Sequence, residues 1–178
     1  MKQAHFLLQK IEENQLWKNQ LYLDRNEFLK VSGSIDTNLY FVKSGSLRIF
    51  VIEEYEEHTI RFGYKNSFLL SLDSFISEKP TEYYIQAIKK STLSVIEKKP
   101  LKKLIESSDE LQENWNKILE QLILQQLERE RDILTSSPFK RYQRVLERSP
   151  QLFQEIPSKY IASYLRMTPE TLSRIKKS

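Results

Sequence analysis

The stretch Leu39-Tyr-Phe-Val-Lys-Ser-Gly-Ser-Leu-Arg-Ile-Phe-Val-Ile52 decides the fold of this 178-residue chain. It opens with an apolar run, turns at Gly45, and continues with a second run in which Leu47, Ile49 and Val51 share one face. Glycine suits the turn because it adopts positive φ without steric cost. The pattern predicts two β-strands joined by a tight turn.

The same pattern continues on both sides of this stretch. Short apolar runs recur at intervals of about 8–12 residues between about Leu21 and Ile96, which is typical of a β-sandwich or β-barrel. The other two glycines, Gly33 and Gly63, lie here too, and we expect them at tight turns. The further predicted strands are Thr59-Ile-Arg-Phe62, Tyr83-Tyr-Ile-Gln-Ala-Ile88 and Thr92-Leu-Ser-Val-Ile96.

An acidic segment, Glu53-Glu-Tyr-Glu-Glu57, lies between two of these strands. Its four carboxylates repel one another and prefer water. We therefore expect an exposed hairpin tip and assign these carboxylates no chemical role.

Helical spacing flanks the β region on both sides. Residues 3–17 predict a short amphipathic helix. After Pro100 the helical period returns, Ser108-Asp109 offers an N-cap, and a helix to about Leu134 would span roughly 39 Å. The apolar stripe of this helix is broad, so it predicts either a dimerisation helix or a single core helix of a monomer. The candidate dimer residues are Leu111, Trp115, Ile118, Leu119, Leu122 and Ile123.

The segment Thr135-Ser-Ser-Pro138 is the best domain boundary. Beyond it we expect three short helices, over Phe139 to Glu147, Ser158 to Leu165 and Thr168 to Lys176, with a loop before Pro157. The sequence thus predicts a β domain at 1–107, the long helix at 108–135 and an all-helical domain at 136–178.

The segment Ile161-Ala-Ser-Tyr-Leu-Arg-Met-Thr-Pro-Glu-Thr-Leu-Ser-Arg-Ile175 has the helix-turn-helix pattern. Ala162 supplies the small residue at which the two helices cross, and Thr168 and Pro169 suit the N-cap and first position of the second helix. The turn position usually holds glycine but here holds Arg166, at a cost of about 1 kcal/mol. The apolar residues expected to pack the corner are Ile161, Leu165, Met167, Leu172 and Ile175.

A basic tail accompanies this motif. From residue 139 onward nine basic and three acidic residues give a net charge of +6, which leaves −2 for the rest of a chain of net charge +4. Such an imbalance favours contact with a polyanion, although a solvated charged surface is the alternative. We expect Arg174 to donate to guanine and Glu170 to accept from cytosine, unless the two simply pair at i, i+4. The candidate DNA-binding residues are Arg166, Thr168, Pro169, Glu170, Ser173, Arg174, Lys176 and Lys177, with backbone contacts expected from Arg141, Arg144 and Lys159.

Composition excludes several other functions. There is no cysteine, so disulfides, thiolate metal sites and iron–sulfur clusters are impossible, and we expect no metal and no cofactor. The two histidines, His5 and His58, are expected at the surface rather than as haem ligands. We expect no catalytic residues and no enzymatic activity, since no nucleophile–base motif or glycine-rich phosphate loop is present. No stretch approaches about 20 apolar residues and no signal-peptide core is visible, so we expect a cytoplasmic protein without a membrane partner.

Taken together, these segments resemble the Crp/Fnr superfamily, the catabolite activator protein-like regulators. The β region resembles a cyclic-nucleotide-binding β-roll, the long helix resembles the family's dimerisation helix, and the tail is similar to members common in Bacteroidetes-type bacteria. The resemblance implies an α+β protein, with a double-stranded β-helix or jelly roll followed by an all-α helix-turn-helix domain that lacks a full wing. It also implies a homodimer on near-palindromic double-stranded DNA with half-sites roughly 34 Å apart. RNA polymerase and an unidentified small-molecule effector are further partners that it implies.

The effector site departs from the family pattern. Cyclic-nucleotide binders carry a Gly-Glu pair and, after a proline, an arginine that neutralises the cyclic phosphate. Here Ser71-Leu72 replaces the pair, Thr81 replaces the arginine, and Glu82 follows it, which would repel phosphate. We therefore expect a degenerate pocket, formed by Phe68, Ser71, Leu72, Thr81 and Glu82, that does not bind cyclic AMP or cyclic GMP well. The alternative to a DNA-binding regulator is an effector-sensing or protein-interaction module whose helix-turn-helix does not contact DNA.

Overall fold

The computed structural model describes residues 2–177, which form a β domain followed by helices. Eight strands make two four-stranded antiparallel sheets, in the orders β1-β8-β3-β6 and β2-β7-β4-β5. The strands are β1 (Asn19–Leu23), β2 (Phe28–Lys30), β3 (Leu39–Ser44), β4 (Ser46–Glu53), β5 (Glu56–Tyr64), β6 (Phe68–Leu69), β7 (Tyr84–Ala87) and β8 (Ser91–Ile96).

The two sheets enclose an apolar core. Leu47, Ile85 and Leu93 are fully buried there, together with the ring of Tyr40. The apolar residues of β3 and β4 alternate as predicted, so Leu47 and Ile49 face this core. The predicted β-roll is therefore confirmed.

The helices complete the chain. The long helix runs for 26 residues as predicted, and the Ser108 side chain caps it by accepting from the Leu111 amide. The helices are α1 (Lys2–Glu13), α2 (Leu72–Ser77), α3 (Lys98–Ile105), α4 (Asp109–Leu134), α5 (Pro138–Arg148), α6 (Pro150–Glu155), α7 (Ser158–Tyr164) and α8 (Pro169–Ile175).

Two local predictions were wrong. The segment expected to be a loop before Pro157 contains α6, which begins at Pro150 and buries Leu152 against the other C-terminal helices. Gly63 lies inside β5 rather than at a turn, and an added Cβ would stand 3.1 Å from a methyl group of Leu69. The packing of Leu152 with the neighbouring helices and the pairing of Gly63 with Leu47 of β4 outweighed the local patterns.

The acidic hairpin tip is exposed, as expected, with Glu54 and Tyr55 both at positive φ between β4 and β5. Its last carboxylate has a partner, however. Glu57 lies 2.6 Å from the guanidinium of Arg48, a β4 residue whose side chain is almost fully buried. The tip thus neutralises a buried cation and is not merely solvated.

The C-terminal helices share a core with the β domain. Phe62 of β5 and Ile88 pack with Ile161 and Leu165 of the C-terminal segment in one buried cluster. The Ser163 hydroxyl lies 3.2 Å from that of Thr59 in β5. The hydrophobic core therefore extends across the boundary predicted at 135–136, and the domain division itself stays a prediction.

Candidate nucleic-acid interface

The helix-turn-helix forms from α7, a tight turn and α8. Arg166 adopts φ +53°, the left-handed conformation expected at the turn position. Thr168 caps α8 through a bond from the Thr171 amide at 3.2 Å, and Pro169 occupies its first turn. The corner packs as predicted, with Ile161, Ala162, Leu165 and Leu172 fully buried and Met167 and Ile175 partly buried.

Five of the candidate DNA-binding side chains share one exposed face. They line a single shallow depression along α8, open to solvent. Since α8 spans only two turns, its buried residue Leu172 fixes which side faces outward. The five are Pro169, Glu170, Ser173, Arg174 and Lys177.

The other three candidates lie differently. The Lys176 ammonium donates to the Ser158 hydroxyl at 2.8 Å, so it bridges to the start of α7. Thr168 is exposed, but its hydroxyl serves the cap. Arg166 is exposed at the turn and precedes Pro169, which lines the depression, by three residues.

The basic residues expected to contact the DNA backbone are mostly engaged within the protein. Arg141 is only 9% exposed, and its guanidinium donates to main-chain carbonyls. Arg144 pairs with Asp132 at 2.9 Å and with Glu128 at 2.7 Å, both on α4. Lys159 is exposed, with its ammonium 4.6 Å from the Tyr160 ring. The expectation for Arg141 was therefore wrong, because its guanidinium is bonded to the nearby carbonyls of Thr135 and Ser136 and to two carbonyls about 25 residues further along the chain.

Much of the tail's positive charge is balanced locally. Arg148 also pairs with Asp132, whose carboxylate is fully buried. Two acids of α4 thus hold Arg144 and Arg148 against the long helix, where an ion pair with hydrogen bonds offsets the cost of burial. Arg166, Arg174 and Lys177, at the turn and on α8, are exposed.

A buried arginine of α4 joins the long helix to the motif. Arg129 is 7% exposed and donates to the Thr59 carbonyl at 3.3 Å. Burial lowers the pKa of the Arg129 guanidinium, and Tyr164 acts in the opposite direction. Burial likewise lowers the pKa of Arg61 on β5. The sequence did carry one sign that Arg129 would be buried. It follows Leu122 by seven residues, or two helical turns, and so lies on the same side of α4.

The residues of the predicted effector pocket differ in burial. Ser71 and Thr81 are buried, but Glu82 is exposed and Phe68 and Leu72 are half-buried. The Ser71 hydroxyl donates to Asp73 at 3.0 Å, and the Thr81 hydroxyl accepts from the Tyr83 amide at 3.1 Å. The Ser71 and Thr81 hydroxyls therefore already have protein partners.

One carboxylate in this region was missed. The Asp36 side chain is fully buried and accepts from the Tyr40 hydroxyl at 3.0 Å, with the Lys30 ammonium 3.6 Å away. The Asp36 amide donates to Ser74 of α2, the helix that begins at Leu72. Asp36 and Lys30 thus form an ion pair close to α2.

Residues predicted at a dimer seam separate into two groups along α4. Leu111 is buried in the chain's own core with Phe75 and Leu104, and Trp115 and Ile118 pack against that core. Leu119 and Leu122 are half-buried. Ile123 is 61% exposed, next to the exposed Leu124. The open apolar stripe therefore occupies the second half of α4, whereas α1 and α3 cover the first half.

Comparison with known proteins places this architecture in a class. The cyclic nucleotide-binding domain family matches residues 20–108, half of the chain. The chain therefore belongs to the cyclic nucleotide-binding domain family. No curated protein sequence matches it. Within residues 2–177 no helix is long and apolar enough to cross a bilayer.

Solved structures extend the likeness beyond that domain. FixK2 from Bradyrhizobium japonicum matches with a TM-score of 0.73 at 15% identity, over 89% of this chain and 82% of that one. The c-di-GMP-responsive global regulator CLP of Xanthomonas campestris matches with a TM-score of 0.68 at 16% identity, over 96% and 90%. A CRP-family transcriptional regulator from Thermus thermophilus matches with a TM-score of 0.64 at 13% identity, over 88% and 82%. The fold is thus that of Crp/Fnr regulators, as the sequence predicted; the Bacteroidetes type stays a prediction.

Proposed function

We propose that this chain is a sequence-specific DNA-binding transcription regulator of the Crp/Fnr type. The observation that carries the proposal is the outward face of α8, on which Glu170, Ser173, Arg174 and Lys177 lie together on a helix-turn-helix. A helix presented in this way fits the major groove, whose base edges offer donors and acceptors to such side chains.

The outer residues divide into two roles. Arg174 can donate two hydrogen bonds to guanine, and Glu170 can accept one from the cytosine amino group. Lys177, Ser173 and the exposed Arg166 are placed for phosphate oxygens. Lys176 is a weaker candidate than the sequence suggested, because its ammonium already donates to Ser158.

We further propose that the regulator is a homodimer, joined through the second half of α4. The exposed apolar residues there recur at helical spacing over roughly three turns, and a second copy of the same helix would cover them symmetrically. They are Ile123, Leu124, Leu127 and Leu134.

For the effector, we propose that cyclic AMP and cyclic GMP are not ligands. The core of the roll is packed with buried side chains, and Thr81 and Glu82 stand where a cyclic phosphate would need a cation. Binding of a different effector and the absence of any effector are the two alternatives. Contact with RNA polymerase stays an expectation.

Selection of bound DNA from a random pool tests the proposal, followed by mobility-shift titrations at several salt concentrations. We expect a near-palindromic site. Arg174→Ala should weaken binding by about 10- to 100-fold and relax the preference at one base pair per half-site. Lys177→Ala should weaken binding to all sequences and reduce the salt slope by about one.

The matched control is Lys103→Ala, an exposed lysine on α3 far along the chain from the motif. It should leave the affinity and the salt slope unchanged. If the wild-type protein selects no sequence, or if Lys103→Ala weakens binding as much as Lys177→Ala, the alternative of an interaction module with an inactive helix-turn-helix is favoured.

A further inference from the structure

We propose that Arg141 is a positioning residue, which locks the turn of the helix-turn-helix to the linker that follows α4. The inference rests on the proposed DNA-binding function for its consequence, but its geometry is independent of that function. Arg141 lies on α5, and its guanidinium makes four hydrogen bonds, all to main-chain carbonyls. None of these bonds reaches a carboxylate or the outer face of α8.

The four hydrogen bonds join two distant segments. On one side the Arg141 Nε donates to the carbonyl of Leu165 at 2.8 Å, and one terminal nitrogen donates to that of Arg166 at 3.0 Å. On the other side the second terminal nitrogen donates to the carbonyls of Thr135 and Ser136, at 2.7 Å and 3.1 Å. One buried guanidinium therefore holds both the turn and the linker.

A physical argument explains why a cation is stabilising at each of these two segments. Leu165 and Arg166 follow α7, where carbonyls lack helical partners and the helix end carries partial negative charge, so a cation is favoured there. Arg166 also holds an unfavourable positive φ, and its carbonyl is tied down by this bond. Thr135 and Ser136 form the linker between α4 and α5, so Arg141 adds to the ion pairs of Arg144 and Arg148 that hold α5 against α4.

Only arginine has the shape for this role. Its planar group presents five donors in a fixed fork, and here the donors point to both segments at once. A lysine ammonium is a compact point charge on a single nitrogen. It cannot donate to the turn and to the linker at the same time in the way that the guanidinium does. The turn and the linker should therefore move as one unit while Arg141 is present.

The consequence concerns how α8 is presented to DNA. In a dimer joined through α4, the separation of the two α8 helices depends on the angle at each linker. A locked linker permits one half-site spacing, since recognition helices enter grooves about one helical turn apart. Loosening the lock should broaden the range of spacings that the dimer tolerates without removing a DNA contact.

The test compares Arg141→Lys with the matched control Arg25→Lys, an exposed arginine in the turn between β1 and β2. The first measurement needs no DNA: amide hydrogen exchange of residues 163–168. We expect exchange at least about fivefold faster in Arg141→Lys and unchanged in Arg25→Lys. Unchanged exchange in Arg141→Lys overturns the inference.

The second measurement is the affinity for the selected site and for versions with the half-site spacing changed by one base pair in either direction. Arg141→Lys should reduce the discrimination between spacings at least about threefold while leaving the salt slope at the wild-type value. Weaker binding by the same factor at every spacing would mean that Arg141 only stabilises the fold, and the inference fails.

Circular dichroism and thermal unfolding establish whether the variants fold. Arg141→Gln, whose amide can still donate to two carbonyls, is the second variant. If neither variant folds, Arg141 is a stability residue and the inference is wrong. If the wild-type protein binds no DNA, the proposed function fails, whereas the exchange measurement still decides whether the lock exists.

Discussion

The guanidinium of Arg129 lies 3.8 Å from the centre of the Tyr164 ring, and this contact joins the long helix α4 to the first helix of the helix-turn-helix. The same guanidinium donates to Thr59 of β5, so a single side chain touches three elements. Tyr164 in turn packs on Phe62, with ring centres 5.5 Å apart. Arg129 therefore couples the β domain, the long helix and the DNA-binding candidate.

Replacing Arg129 with methionine should destabilise the protein by about 1–3 kcal/mol. It removes a buried cation–π contact and leaves the Thr59 carbonyl without this donor. Urea unfolding of Arg129→Met, Tyr164→Leu and the double variant measures the coupling between the two side chains. We expect a coupling energy of about 1 kcal/mol, and strictly additive effects would contradict the contact.

Changing two glycines with the same backbone conformation to alanine should reduce the stability of the protein by very different amounts. Gly45 and Gly33 have φ of +85° and +83°, but a Cβ at Gly45 would stand 2.4 Å from the Lys90 carbonyl, whereas at Gly33 it meets no atom within 4 Å. Gly33→Ala should cost about 1 kcal/mol from strain alone. Gly45→Ala should cost at least about 3 kcal/mol, since β-strand backbone must move. Equal losses in denaturant unfolding would show that backbone strain, not contact, governs both sites.

Stability at alkaline pH should depend on Tyr40. Burial raises the pKa of its hydroxyl, and the Asp36 carboxylate raises it further. A phenol whose pKa is higher in the folded state contributes stability that is complete below its unfolded pKa, near 10, and is lost as the pH rises beyond it. Tyr40→Phe should cost about 1–2 kcal/mol at pH 7, and the difference should narrow above pH 10.

Urea unfolding of both proteins between pH 7 and 11 checks this prediction. Burial also raises the pKa of Tyr64, so Tyr40→Phe should retain part of the alkaline slope. A difference between the two proteins that stays constant across the whole range would contradict the role given to Tyr40.

A charge placed in the exposed stripe of α4 should dissociate the proposed dimer. Leu124 and Leu127 are 62% and 55% exposed, so glutamate at either position costs the monomer little. In a dimer the same carboxylate would be buried without a partner. Sedimentation equilibrium should show wild-type dimers and monomers of Leu124→Glu and Leu127→Glu. Ile76→Glu, at an exposed position on α2, is the control and should stay dimeric; monomeric wild-type protein would refute the interface.

Cyclic AMP should not stabilise this protein. A ligand at one hundred times its Kd adds about 2.7 kcal/mol of stability, which shifts the Tm of a chain this size by several degrees. With Thr81 and Glu82 where a cation is needed, we expect a shift below about 1 °C at 1 mM cyclic AMP. Micromolar binding in a calorimetric titration would contradict the prediction.

The parts of the fold that the sequence predicted correctly are those set by interactions between residues close together in the chain. The β-strand alternation around Gly45, the cap at Ser108 and the Thr168-Pro169 start of α8 all appear in the structure as expected. The two-residue β6 and the three-residue β2 were not predicted individually, because so few residues carry no periodicity. The helix α6 was missed because Ser149-Pro150 indicated a break, whereas Pro150 occupies the first turn of a six-residue helix that packs with the neighbouring helices.

The amino-acid sequence by itself determined the main strands, the long helix, the apolar corner of the helix-turn-helix and the outward face of α8, since periodicity and capping act within a few residues. Only the tertiary structure decided which cations are withdrawn from the surface. Arg141 and Arg129 are buried because carbonyls and a ring from other segments converge on them, and burial of an arginine requires such partners. That convergence depends on how helices and sheets pack together, which no local pattern encodes.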